Sequence, residues 1–246
     1  MYISRIHRKE YIVAYMLMIL SAVFFVSLSS SCSQSQDPAV ILKEAFSLAN
    51  EERYDEAQLR ALEAEEFLAD NVSLENRESL ARLYGLIFFQ QNIRDKAKNN
   101  LQQALNYATE LNDTSLIITN LFNLGLCATT ENEAVSNFKQ VAVLAEKAGF
   151  TSLQSSAFEK LAQTYTSTGD FGKAQQYLDS ADELCGNNSI LQLEIVTTQC
   201  RLWLAESKYE VALQGYKSIN PDSLNVYGRL QRTNAISVSY THLRAH

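Results

Sequence analysis

Proline and glycine are scarce in this chain, 2 and 8 in 246 residues. So few interruptions of regular backbone exclude a fold assembled from many tight turns and favour long helices. A basic excess is also missing: the formal net charge is −7, and no stripe of Lys and Arg offsets it. That excludes an extended phosphate-binding face, so no nucleic-acid partner is expected for this segment. Histidine is confined to His7, His242 and His246, near the two ends. The four cysteines, Cys32, Cys127, Cys185 and Cys200, show neither the C-x-x-C spacing of a redox pair nor the clustered Cys/His spacing of a zinc site.

Catalytic signatures are absent as well. There is no G-x-S-x-G elbow, no G-x-x-x-x-G-K-[ST] phosphate loop and no H-E-x-x-H metal helix. Glu51, Glu52, Glu63, Glu65 and Glu66 form the richest acidic cluster. Lying on or beside amphipathic helices of an acidic protein, they read as a solvated face. No enzymatic activity and no cofactor are expected of this segment.

What the sequence does contain begins with Arg5, His7, Arg8 and Lys9, followed by the uncharged apolar run YIVAYMLMILSAVFFVSL from Tyr11 to Leu28. This is the layout of an export signal: apolar residues enter hydrocarbon while positive charge stays on the cytoplasmic side. Eighteen residues also suffice for a short membrane helix, so cleavage and retention both stay open. The run ends at Ser29-Ser30-Ser31-Cys32, which resembles the export signals of bacterial lipoproteins, in which small residues lead to a lipid-bearing cysteine. Those signals usually carry Leu three residues before the cysteine; here Ser29 holds that place and Leu28 lies one further back. The resemblance implies a signal peptide over 1–31, lipid attachment at Cys32 and a tether over 32–37. Several acyl chains, at about 0.8 kcal/mol per buried methylene, make such an anchor lasting. By the same resemblance Ser33 fits the outer membrane of a diderm bacterium.

Beyond Pro38, apolar residues and alanines recur at three- and four-residue spacing, the pattern of amphipathic helices. One phrase returns five times: YDEAQLRALEAEEFL from Tyr54, RDKAKNNLQQALNYA from Arg94, ENEAVSNFKQVAVLA from Glu131, FGKAQQYLDSADEL from Phe171 and YEVALQGYKSI from Tyr209. Its aligned alanines, Ala57, Ala97, Ala134, Ala174 and Ala212, stand 40, 37, 40 and 38 residues apart. Preceding each later phrase is a small residue in a first-helix pattern: Gly85, Gly125, Ala162 and, less typically, Cys200.

This arrangement resembles the tetratricopeptide repeat family, whose unit is two antiparallel helices crossing at small residues. The resemblance implies an all-α superhelical stack of helix pairs. About five divergent units span 38–220, and 221–237 begins a sixth. The spacings exceed the usual unit of about 34 residues. The third unit is the most irregular, with only nine residues from Gly125 to Ala134.

Residues 238–246 (VSYTHLRAH) resemble a translated sequencing-adapter tail, which gives the expectation that the native product continues past Ser237. Cys127 and Cys200 read as buried small hydrophobes, and a Cys185–Cys200 bridge is conceivable only across adjacent helices.

A stack of this kind presents a curved wall made by its first helices. Asn120, Asn123, Gln163 and Arg201 are the expected peptide contacts there, because amides pair with peptide backbone and a guanidinium pairs with carboxylates. The expected partner is a protein or peptide, with the membrane reached through the N-terminal lipid. The leading reading is a membrane-tethered scaffold or sensory input outside the cytoplasm, similar to extracytoplasmic parts of Bacteroidetes regulators. An outer-membrane assembly lipoprotein and an accessory domain of an enzyme encoded further downstream are the competing readings.

Overall fold

The computed structural model describes residues 37–67, 73–224 and 226–245. The export signal, Cys32 and the tether to residue 36 lie outside them. Among the described residues the chain is all helical and contains no strand.

Eleven α-helices follow one another: α1 (Pro38–Asn50), α2 (Tyr54–Phe67), α3 (Leu74–Gln90), α4 (Arg94–Glu110), α5 (Thr114–Cys127), α6 (Glu131–Ala148), α7 (Thr151–Thr168), α8 (Phe171–Cys185), α9 (Ser189–Ala205), α10 (Tyr209–Ser218) and α11 (Val226–Ala245). A 3₁₀ turn at Pro221–Ser223 joins α10 to α11. The odd-numbered helices are the first members of successive pairs and the even-numbered helices the second. Each packs on its chain neighbours, and α1 with α3, α3 with α5 and α7 with α9 also touch directly. This is a tetratricopeptide-like superhelical stack.

Local sequence sets the helix starts. Asp37, Ser73, Asp113, Thr130, Asp170 and Asn188 each accept a backbone N–H of the first turn, as capping side chains do. The turn inside four of the five pairs depends on a residue in the left-handed region, which stands five residues before the aligned alanine. Glu52, Asn92, Gly169 and Ser207 occupy it, with φ of 61°, 59°, 80° and 64°. The third unit has no such residue, and its α5–α6 link passes through Ala128, Thr129 and Thr130 with no positive φ. Its shorter connection carries a consequence for packing: Ala134 is only half-buried, whereas Ala57, Ala97, Ala174 and Ala212 are fully enclosed. The expectation of five equivalent alanine seats therefore holds for four.

The small first-helix residues are seats for a large side chain four residues after each aligned alanine. A Cβ added to Gly85 would lie 2.6 Å from Leu101 Cγ, and one on Gly125 would lie 2.6 Å from Phe138 Cε1. Close approach of the two backbones thus requires glycine at both places. The fifth unit reverses the arrangement. Cys200 stands at the first-helix seat, and the room is made on the second helix by Gly215, whose added Cβ would meet the Cys200 sulfur at 2.5 Å.

The core divides in the same rhythm. One cluster joins Ile41, Leu42 and Ala45 of α1 with Ala57 and Ala61 of α2 and Leu83 of α3. Further clusters join α4 to α5, α5 through α7, α7 through α9, and α9 through α11. Every helix pair buries its remaining apolar face on the next first helix, so stability is a sum of neighbour interfaces.

Cys127, Cys185 and Cys200 are free and buried, so the Cys185–Cys200 bridge is not formed. Residues 238–245 continue α11, in which His242 stacks on Tyr209 at a centroid distance of 4.3 Å. No helix among the described residues is long and apolar enough to cross a membrane.

Candidate peptide-binding cleft

The first helices α7 and α9 and the start of α11 enclose two adjoining hollows. One, of about 390 Å³, is lined by Gln163, Thr164, Thr166, Ser167, Thr198 and Arg201. The other, of about 330 Å³, shares Gln163, Thr198 and Arg201 and extends past Lys160 and Glu194 to Ile190, Leu193 and Leu224. The shared residues come from matching helical spacing: Glu159 and Gln163 on α7 are four apart, as are Glu194 and Thr198 on α9, with Arg201 one turn further.

Behind this wall lies Glu159, a carboxylate with no solvent exposure. Its Oε1 accepts a hydrogen bond from Gln163 Nε2 at 2.6 Å and another, shorter one from the Thr198 hydroxyl. Lys160 Nζ lies 2.8 Å from Oε2 and supplies the counter-charge, although no donor is aligned on that oxygen as a hydrogen bond. A buried carboxylate needs such partners, since an unpaired one would cost several kcal/mol. Burial raises the Glu194 carboxyl above its ordinary value, Lys160 opposes that, and the charge of Glu159 adds to it. Arg201 donates from Nη2 to Gln231 Oε1 of α11.

A second buried carboxylate stands nearer the N-terminus. Glu78 on α3 is fully enclosed and accepts from Asn120 Nδ2 of α5 at 2.8 Å and from Arg82 Nε at 2.9 Å. Arg82 in turn lies over the Phe46 ring, 4.4 Å from its centroid. Glu78–Asn120 and Glu159–Thr198 thus bind one first helix to the next by the same device.

The four expected contacts separate accordingly. Gln163 and Arg201 meet at the cleft. Asn120 does not: its side chain has no exposure, it is held by Glu78, and its Oδ1 is buried with no hydrogen-bond partner. The expectation that Asn120 is exposed is therefore corrected. Its helical position turns inward, where an adjacent carboxylate makes an amide worth burying. Asn123 is half-buried on α5 and lies outside both hollows. Sequence reasoning missed Glu159 and Thr198. The available signal was Glu159-Lys160 set between Phe158 and Leu161, a charged pair interrupting a packed face.

A larger hollow of about 530 Å³ between α1 and α2 is lined by Glu44, Arg53, Glu56, Leu59, Arg60 and Glu63. Its charges are already consumed by one another, with Arg53 on Glu56, exposed, and Arg60 on Glu63, half-buried, both at 2.6 Å. It is a solvated trough. Glu51, Glu52, Glu65 and Glu66 are exposed on the same pair of helices and their connection. Among the described residues no group of three or more His, Cys, Asp or Glu is placed to hold a metal ion.

The fold defines a class: a helix-pair repeat protein with a cleft on its first-helix wall. Solved structures similar to it include two Rap proteins. The apo form of RapI matches with a TM-score of 0.63 at 14% identity, over 73% of this chain and 68% of that one. A Rap protein complexed with competence and sporulation factor matches with a TM-score of 0.65 at 14% identity, over 88% of this chain and 59% of that one. The chain therefore spans about three-fifths of the second protein's length. At such identity the likeness is one of fold. No protein-family model matches the sequence, and no curated protein matches it.

Proposed function

We propose that this repeat stack is a binding module that holds a segment of peptide or protein in the cleft between α7, α9 and α11. The observation that carries this reading is the convergence of Gln163, Thr198 and Arg201 on both adjoining hollows. Gln163 and Arg201 offer amide and guanidinium groups beside an apolar end at Ile190 and Leu193, the mixture an extended peptide requires, with the Thr198 hydroxyl buried behind them on Glu159. A similarly folded Rap protein has been solved in complex with competence and sporulation factor, which supports the reading by analogy of fold alone.

The module acts outside the cytoplasm as a scaffold or sensory input, fastened to a membrane through lipid on Cys32 and facing the periplasm from the outer membrane. Support for this placement comes from residues 1–33 of the sequence. The binding is tested by selecting random short peptides on the purified chain. Retained peptides should lose roughly tenfold or more in affinity to Arg201→Ala, as a charged hydrogen-bond donor implies. Equal affinity for the parent and a Thr197→Trp variant, in which a half-buried residue of the second hollow is enlarged to fill it, overturns the reading. The anchor is tested separately by fatty-acid labelling in a bacterial host; equal labelling of the parent and Cys32→Ser rejects attachment there.

A further inference from the structure

A carboxylate only accepts hydrogen bonds, and that settles the orientation of everything bonded to Glu159. The NH₂ end of Gln163 must face it, at 2.6 Å from Oε1, and also lies 3.3 Å from the Thr198 oxygen. The Thr198 proton goes to Glu159 too. The remaining hydroxyls of the wall are committed in the same inward sense: Thr164 donates to the Lys160 carbonyl, Thr166 to that of Ala162, and Ser167 to that of Thr164. What the neutral side chains of the wall turn toward the hollow is therefore lone pairs, beside the charges of Lys160, Glu194 and Arg201. Among the neutral acceptors is Gln163 Oε1, which accepts no hydrogen bond from any described residue.

We propose that Glu159 sets the polarity of the cleft, fixing Gln163 as an outward acceptor so that the site selects ligands by an N–H group, a peptide amide, placed beside an acidic group on Arg201. The inference rests on the peptide-binding reading and adds its chemical rule. Glu159 is a positioning residue, since it touches Gln163 and Thr198 and does not itself line either hollow. Lys160 at 2.8 Å keeps its charge compensated inside the fold. Arg201 is the cation common to both hollows, and its bond to Gln231 holds it at the far side of the shared wall. A ligand with a carboxylate but no nearby N–H satisfies half of the site.

The test uses the full chain in detergent, as the parent, Glu159→Leu and Glu159→Gln. Leucine removes the acceptor, whereas glutamine keeps an oxygen where Oε1 lies and serves as the conservative rescue. In the ¹⁵N spectrum of the free protein, one Gln163 side-chain proton, identified by its loss in Gln163→Leu, should exchange with solvent at least tenfold more slowly in the parent and Glu159→Gln than in Glu159→Leu. Short peptides retained by the parent are then compared with copies methylated at one backbone nitrogen at a time. One position should lose roughly three- to tenfold in affinity, the worth of one neutral hydrogen bond, in the parent and Glu159→Gln but not in Glu159→Leu. Equal proton exchange in all three proteins, or equal sensitivity to methylation in Glu159→Leu, overturns this inference and leaves the peptide reading standing. Retention of no peptide by the parent overturns both.

Discussion

Cys200 and Gly215 face each other across the crossing of α9 and α10, and a Cβ on Gly215 would begin 2.5 Å from the Cys200 sulfur. The fifth unit has thus moved its smallest residue from the first helix to the second. Gly215→Ala is expected to destabilise the protein by about 1–3 kcal/mol through overpacking, since the fully buried sulfur has little room to retreat. Cys200→Ala in the same protein should restore part of that loss, giving a coupling of roughly 0.5 kcal/mol or more in a urea-denaturation double-mutant cycle. Additive effects of the two changes would contradict direct contact.

Gly125 gives a stricter case, because the obstacle is the ring of Phe138, itself locked edge-on against Phe122 at 5.5 Å. Gly125→Ala should cost about 1–3 kcal/mol. Gly172, near the start of α8, has no close neighbour in the path of a Cβ, so Gly172→Ala should stabilise by about 0.5–1 kcal/mol through helix propensity. Opposite signs in thermal melts of the two variants are the expected outcome.

Ser207 and Glu52 carry side chains in the left-handed turn position where the fourth unit uses Gly169. For an ordinary L-residue that conformation costs roughly 1–2 kcal/mol, so Ser207→Gly and Glu52→Gly should each raise stability, by up to about 1 kcal/mol. Gly169→Ala should lower it. Urea midpoints of the three variants check the order.

The repeat was legible because its signals are local and periodic: alanines at a fixed register, and glycines at Gly85 and Gly125 where backbones must approach. The turn residues were less so. Glu52 and Ser207 adopt a conformation that their identity does not announce, and only their distance from the aligned alanine reveals it. Of the cleft, Gln163 and Arg201 were readable as polar residues on a first helix. Whether such a residue faces solvent or the neighbouring first helix depends on superhelical rotation, a property of packing between units. That is why Asn120 was expected on the surface and is buried, and why Glu78 and Glu159 escaped notice.

The Glu78–Asn120 contact provides a test of the buried network. Asn120→Leu leaves Glu78 with Arg82 and Ser79 alone, and should cost about 1–3 kcal/mol for the bond lost to a buried charge. Glu78→Leu alone strands the amide and should cost at least as much. The double Leu variant should be less damaging than the two losses added, because neither polar group is then left behind. Chemical denaturation of the four proteins gives the coupling, and additivity would deny the network.

Thiol chemistry follows from burial. Cys127 and Cys200 are enclosed, and desolvation of the thiolate pushes both from an ordinary value of 9.0 to about 11, with Arg94 opposing the rise slightly at Cys127. A folded-state value raised in this way means the native protein holds these protons more tightly than the unfolded chain. Their contribution to stability is fully present below about pH 9 and is lost as the pH rises through about 11. Urea midpoints should therefore fall between those limits, and Cys127→Ala with Cys200→Ala should flatten that fall. At pH 8 a disulfide reagent should modify Cys127 and Cys200 only as fast as the protein opens, so that modification rate and unfolding rate rise together with urea. Rapid labelling of either thiol in the folded protein, with helicity intact, would show that the first-helix interfaces are not closed around them.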